Sequence, residues 1–184
     1  MIKTKKDLIE YLNADKKALG RTSTRPHFTD LIWKYQILLR KCEYYNNCKT
    51  GLVNKLILKY YQFRKFQIGS KCNFEIPLNV FGKGLSIAHI GSIIVNGGAK
   101  IGDNCRIHVG VNIGTQAGYR DLAPTMGNNI YIGPGAKIFG KITIADNIAI
   151  GANSVVNKDF FESDISIAGV PAKKISNKGS LNMK

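Results

Sequence analysis

The chain's three histidines, His27, His89 and His108, are its natural acid–base candidates, and His89 stands in unusual company. It lies in "GLSIAHIGSIIVNGG", a run of small and apolar residues. An imidazole there is either a packed core side chain, with both ring nitrogens in need of partners, or a base placed to take a proton from a nucleophile. Histidine suits the second task because its ordinary pKa lies close to neutrality. His108, in "CRIHVGVNIG", can line a cleft or cap a corner, and His27 sits in the polar loop "GRTSTRPH". Cys42, Cys48, Cys72 and Cys105 form no CxxC pair and no metal-ligand spacing, so neither a metal site nor a disulfide framework is expected.

Two stretches of different grammar must position these residues. Residues 1–70 read as a basic α-helical domain. "KKDLIEYLNADKKAL" sets Leu8, Ile9, Leu12 and Leu19 near helical spacing. "TDLIWKYQILLRKCEYY" follows Thr29 or Asp30 as N-cap and puts Leu31, Ile32, Tyr35, Leu38 and Leu39 on one face. "GLVNKLILKYYQFRKF" does the same with Leu52, Val53, Leu56, Ile57 and Tyr60. The whole chain carries 27 Lys and Arg against 12 Asp and Glu, and residues 1–70 hold 15 of the former and 5 of the latter. Such a field draws anions, whether nucleic acid, an acidic membrane surface or a phosphorylated small molecule. The basic residues are assigned to solvated outer helix faces, with membrane-surface contact as the sharper reading. They lack the aromatic interleaving that would point to nucleic acid. No stretch approaches the ~18 apolar residues of a spanning helix, and the N-terminus has no apolar signal core, so a cytoplasmic protein is expected.

From residue 71 to 184 the helical spacing gives way to a period of six. His89, Val95, Ile101, Ile107 and Ile113 fall in one phase, and Met126, Ile132, Ile138, Ile144, Ile150 and Val156 in another. Ala99, Cys105, Val111, Ile130, Ala136, Ile142 and Ile148 mark a second constrained position, four places on from the first. A six-residue unit is one short strand and one tight turn; three units make a triangular coil, and stacked coils make a parallel β-helix with an aliphatic interior. Gly and Asn supply corners with positive φ. Between the two phases, residues 114–125 form a loop, "GTQAGYRDLAPT", too long for a corner. Long loops thrown from a regular stack often carry function.

The repeat, the loop and the ending "SIAGVPAKKI" resemble, in that order, the hexapeptide-repeat acyltransferases, and the likeness covers about residues 72–176. It is nearest to the serine acetyltransferase-like branch with short, polysaccharide-associated members. The resemblance implies a left-handed parallel β-helix preceded by a small α-helical domain, homotrimers, and acetyl-CoA bound between neighbouring coils. It implies that His89 is the catalytic base that accepts the acceptor's hydroxyl proton, and that Glu75 of "NFEIPLN" is the acid steadying it, as a carboxylate fixes and charges the imidazole of a hydrolase triad. It likewise implies CoA contacts at Gly151 and Ala152, where a pantetheine arm can approach the backbone, and at Lys158 and Lys173, which would face CoA phosphates. No metal is implied.

The acceptor is read from departures. Serine acetyltransferases place Asp before the histidine, and this chain has Ala88; they carry Arg-His-Pro in the loop, and here Leu122-Ala123-Pro124 stands instead. A zwitterionic amino acid loses both charge partners by these changes. The expected acceptor is therefore a hydroxyl of a sugar or glycan, met by Arg120, Asp121 and His108. The alternatives are serine O-acetylation in cysteine biosynthesis and, in another class, a non-catalytic β-helix scaffold.

Overall fold

The computed structural model describes residues 1–119 and 122–183. Three helices lead: α1 (Lys5–Ala18), α2 (Leu31–Cys48) and α3 (Leu52–Cys72). Thr4 and Asp7 close a reciprocal capping box over the first turn of α1. Asp30, not Thr29, caps α2, its carboxylate accepting from the Trp33 N–H. α3 ends on Asn73 in the left-handed conformation, φ 57°.

Among the described residues fourteen short strands follow, β1 to β14 in chain order, on three faces. The first face stacks β1 (Phe74–Glu75), β3 (Ile93–Val95), β6 (Asn112–Gly114), β9 (Lys137–Phe139) and β12 (Val155–Val156). The second holds β4 (Lys100–Ile101), β7 (Thr125–Met126) and β10 (Thr143–Ile144). The third holds β2 (Ser86–Ile87), β5 (Arg106–Ile107), β8 (Tyr131–Ile132), β11 (Ala149–Ile150) and β13 (Ser166–Gly169), closed by β14 (Ala172–Ser176). Every pair is parallel except β13 with β14. This is the left-handed parallel β-helix with a helical preface. Its interior is aliphatic: on the third face Ile87, Ile107, Ile132, Ile150 and Ile167 stack in register and are all buried. Asparagine builds the corner between the second and third faces. Asn104, Asn129 and Asn147 have positive φ, and each side-chain amide donates to the side-chain oxygen of the like residue one coil up, the last to the Asp164 carboxylate.

The first coil has no coil beneath it. Side chains from the helices satisfy the backbone groups that a preceding coil would have met. Lys65 donates to the Ile76 carbonyl, Arg40 to those of Phe81 and Gly82, and Gln36 to that of Leu85. Glu43 accepts from the Asn79 N–H, and Asp15 from those of Gly84 and Leu85. Arg40 also pairs with Asp15 at 2.8 Å and Glu43 at 3.0 Å, all three fully buried. These carboxylates raise the Arg40 pKa even though burial opposes them.

Two expectations change here. The helices' charges are not all solvated: among the described residues Arg40 is the largest fully buried side chain, and its partners lie 25 and 3 residues away in sequence. The apolar face expected of α3 points outward, not inward. Leu52, Val53, Leu56 and Tyr60 are exposed and Ile57 of the same set is half-buried, while α3 turns Asn54, Leu58, Tyr61, Lys65 and Ile68 inward.

Candidate active site

His89 follows β2 at the corner where the third face passes to the first. The phase that placed it in the aliphatic column does not hold. The inward pair Leu85 and Ile87 is succeeded by Ile93 and Val95, an advance of eight residues where later units advance by six. Ile87, not His89, fills the interior, and the two extra residues push "AHIG" out as a bulged corner with His89 exposed. Gly91 allows the bulge. Its φ is +148°, and a Cβ there would come within 2.2 Å of Val109 Cγ2.

The corner is a vertical line of like positions. Successive backbone bonds run from Ala88 N to Ile107 O, His108 N to Ile132 O, Gly133 N to Ile150 O, and Gly151 N to Ile167 O. His89 and His108 therefore stand on adjacent coils of one edge, with ring centroids 5.9 Å apart, and His108 packs against Tyr131 at 5.0 Å. Gly133 and Gly151 continue that edge with bare backbone: a Cβ on Gly133 would meet Ala152 N at 2.8 Å, and one on Gly151 would meet Ala168 Cβ at 2.8 Å. Ala152 is exposed beside them. Lys173, on β14, pairs in register with Ala168 and projects from the top of the same edge.

The other expected residues are placed differently. Glu75 is exposed on β1, in a groove between α3 and the first face that it shares with Lys65, Asn73, Ser92 and Ile94. Backbone bonds from Gly91 N to Cys72 O and from Ile93 N to Asn73 O bring its strand beside the His89 corner, yet among the described residues no hydrogen bond joins Glu75 to His89. Lys158 lies at a different corner, between β12 and the Phe160 bridge to β10, with its ammonium over the Phe160 ring. The loop leaves from that same kind of corner, between β6 and β7, and Arg120 and Asp121 fall outside the described residues. Leu122 is half-buried and Ala123 buried.

Two residues of the edge went unmarked in the sequence. Arg106 and Tyr131 occupy matching outward positions on β5 and β8. Arg106 donates to Ser86 Oγ at 2.9 Å and lies near enough to His108 to act on its charge. The register that aligns them was available from the period of six, but their outward direction is visible only once the coils are stacked.

His108 has a distinctive environment. Its Nε2 is buried and meets no hydrogen-bond partner among the described residues. Burial first, then the Arg106 guanidinium and His89, hold its pKa below the ordinary 6.5. Below that ordinary value the unfolded chain binds a proton that the folded chain resists, so stability present above pH 6.5 is lost as the pH falls from there toward the lower folded value. Urea midpoints at pH 7.5 and pH 5.5 are expected to separate in the native protein and to separate less in His108→Gln; equal separations in both would remove His108 as the cause.

No family model matches the chain. A serine acetyltransferase of Synechococcus elongatus is 40% identical over 101 residues, covering 53% of this chain and 40% of that protein. One from Helicobacter pylori is 35% identical over 96 residues, covering 52% of this chain and 56% of its own. The chain thus spans about half the length of the curated relatives it matches. Among solved structures, the serine acetyltransferase of Brucella abortus in complex with coenzyme A superposes with a TM-score of 0.71 at 27% identity, over 96% of this chain and 70% of that one. Among the described residues no helix is long and apolar enough to cross a membrane. In its repeat, its coil and the order of its elements, the chain is similar to the hexapeptide-repeat acyltransferases of the serine acetyltransferase type.

Proposed function

We propose that the protein is an acetyl-CoA-dependent O-acetyltransferase with His89 as its general base. The observation that carries this reading is the single edge on which His89 and His108 stand below the bare backbone of Gly133 and Gly151. An extended thioester can lie along such an edge against amide groups, its carbonyl beside the imidazole. His89 takes the acceptor's hydroxyl proton as the oxygen attacks that carbonyl. When the tetrahedral intermediate collapses, the C–S bond breaks and the imidazolium returns the proton to the leaving thiolate. Glu75 steadies the imidazolium from the neighbouring strand. His108, half-buried and kept neutral by its surroundings, lines the acceptor side of the same edge. The relative that superposes at 27% identity is described in complex with coenzyme A, which supports the same donor here.

A homotrimer fits this assignment. The 114–125 loop and Lys158 stand at a different corner from His89, so a neighbouring copy's corner is what would bring them to its site. Gly151, Ala152 and Lys173 would then hold CoA from the edge itself, and Lys158 from the adjoining copy.

For the acceptor, the curated relatives are serine acetyltransferases, and serine is better backed than the sugar hydroxyl expected above. Arg106, on the strand that leads into His108, is a cation near enough to meet a serine carboxylate. The sugar reading rests on Ala88, Leu122 and Ala123, which stand where serine acetyltransferases carry Asp, Arg and His. Thiol release from acetyl-CoA is expected with L-serine and not with neutral sugars. Release with sugars alone would reverse the choice, and none with any acceptor, without CoA binding, would favour the scaffold.

A further inference from the structure

We propose that the outward face of α3 seats the protein on an anionic membrane surface. Leu52, Val53, Leu56, Tyr60, Phe63 and Phe66 lie along that face, each between 54% and 75% exposed. Large apolar side chains gathered on one helix face and left in water signal a partner. Their neighbours on the exposed side are Lys55, Lys59 and Arg64. Arg64 donates to the Tyr60 hydroxyl at 3.1 Å, which holds cation and ring together at the border of the stripe.

Charge selects the occupant. From Tyr44 to Phe74 the chain has no Asp or Glu, and α3 alone carries Lys55, Lys59, Arg64, Lys65 and Lys71. Lys65 turns inward to the Ile76 carbonyl, and the others remain on the surface. Two copies meeting through this stripe about a two-fold axis would set these cations against one another with no acid between them. The rest of the molecule offers no excess of opposite charge, because residues 71–184 are net basic as well and Asp15 and Glu43 are buried with Arg40. An apolar ridge bordered by cations is instead the complement of an interface where acyl chains lie beneath anionic headgroups. With five basic residues, α3 lies on such a surface and does not span it.

Flotation of the full chain with vesicles decides the matter. The protein is expected to float with phosphatidylglycerol vesicles at low salt, to remain below with phosphatidylcholine vesicles, and to be released by salt. Leu56→Asp with Phe63→Asp, and separately Lys55→Glu with Lys59→Glu, should each lower the partition coefficient by about tenfold or more, while mass by light scattering and acetyl transfer stay as in the native protein. The proposal fails if the native chain ignores phosphatidylglycerol or if both variants float as well as it does. It fails too if the variants fall to a smaller assembly, since the stripe is then a contact between copies.

Discussion

His89→Ala is expected to lower acetyl transfer by about 10²- to 10⁴-fold, the usual contribution of a positioned general base. The substitution separates chemistry from folding because the side chain is exposed and fills no interior position. Thermal stability should therefore be nearly unchanged. Acetyl-CoA affinity, read by calorimetry, should also persist, since the bare backbone along Gly133 and Gly151 is intact. A fall in turnover with donor binding retained is the signature of a lost proton acceptor. Turnover that survives the change moves the base elsewhere, and His108, 5.9 Å away, is the first place to look.

The largest effect on stability is expected from Arg40→Ala. It leaves Asp15 and Glu43 buried without their cation and the carbonyls of Phe81 and Gly82 without a donor. Breaking one partner of a buried charge cluster costs about 3–5 kcal/mol, or roughly 6–20 °C of melting temperature for a protein of this size. Replacing all three charged residues with apolar ones of similar volume is often neutral elsewhere. Here it should still destabilise, because Asp15 also holds the Gly84 and Leu85 amides and Glu43 that of Asn79. Thermal melts of the single and triple variants test both statements; a neutral triple variant would mean that the backbone contacts contribute little. Since Leu85 directly precedes β2, loosening there should also disturb the His89 corner and reduce turnover.

The coil was legible because one position of each repeated unit is aliphatic and buried, so the positions from Val95 to Val156 announced their own direction. His89 was misplaced by the same logic. A period carried back from Val95 cannot register a corner two residues longer, and Gly91, whose positive φ permits that corner, looks in sequence like any other repeat glycine. The edge joining His89 to Gly151 follows from the period once strands are stacked, whereas Lys158 has a suitable charge at another corner, and charge alone does not reveal which corner it occupies. Arg40, Asp15 and Glu43 were invisible for a further reason. Helical spacing reports which side of a helix is apolar, and these three lie where two helices and a coil converge, so their burial depends on partners that local pattern cannot name. For α3 the face was read and its direction was not, because an amphipathic stripe looks the same whether it meets a core or another surface.

The polar seating of the first coil has an effect beyond stability. A stack of parallel coils repeats itself and is in principle endless, for each finished rung offers the row of amides and carbonyls that the next one needs. At one end β14 reverses direction and occupies that row; at the other, five side chains from the helices take it up one group at a time. Lose those side chains and the bottom rung is left with unmet amides and carbonyls, an open strand edge of the kind that pairs between molecules, so their removal would favour association of chains through that end.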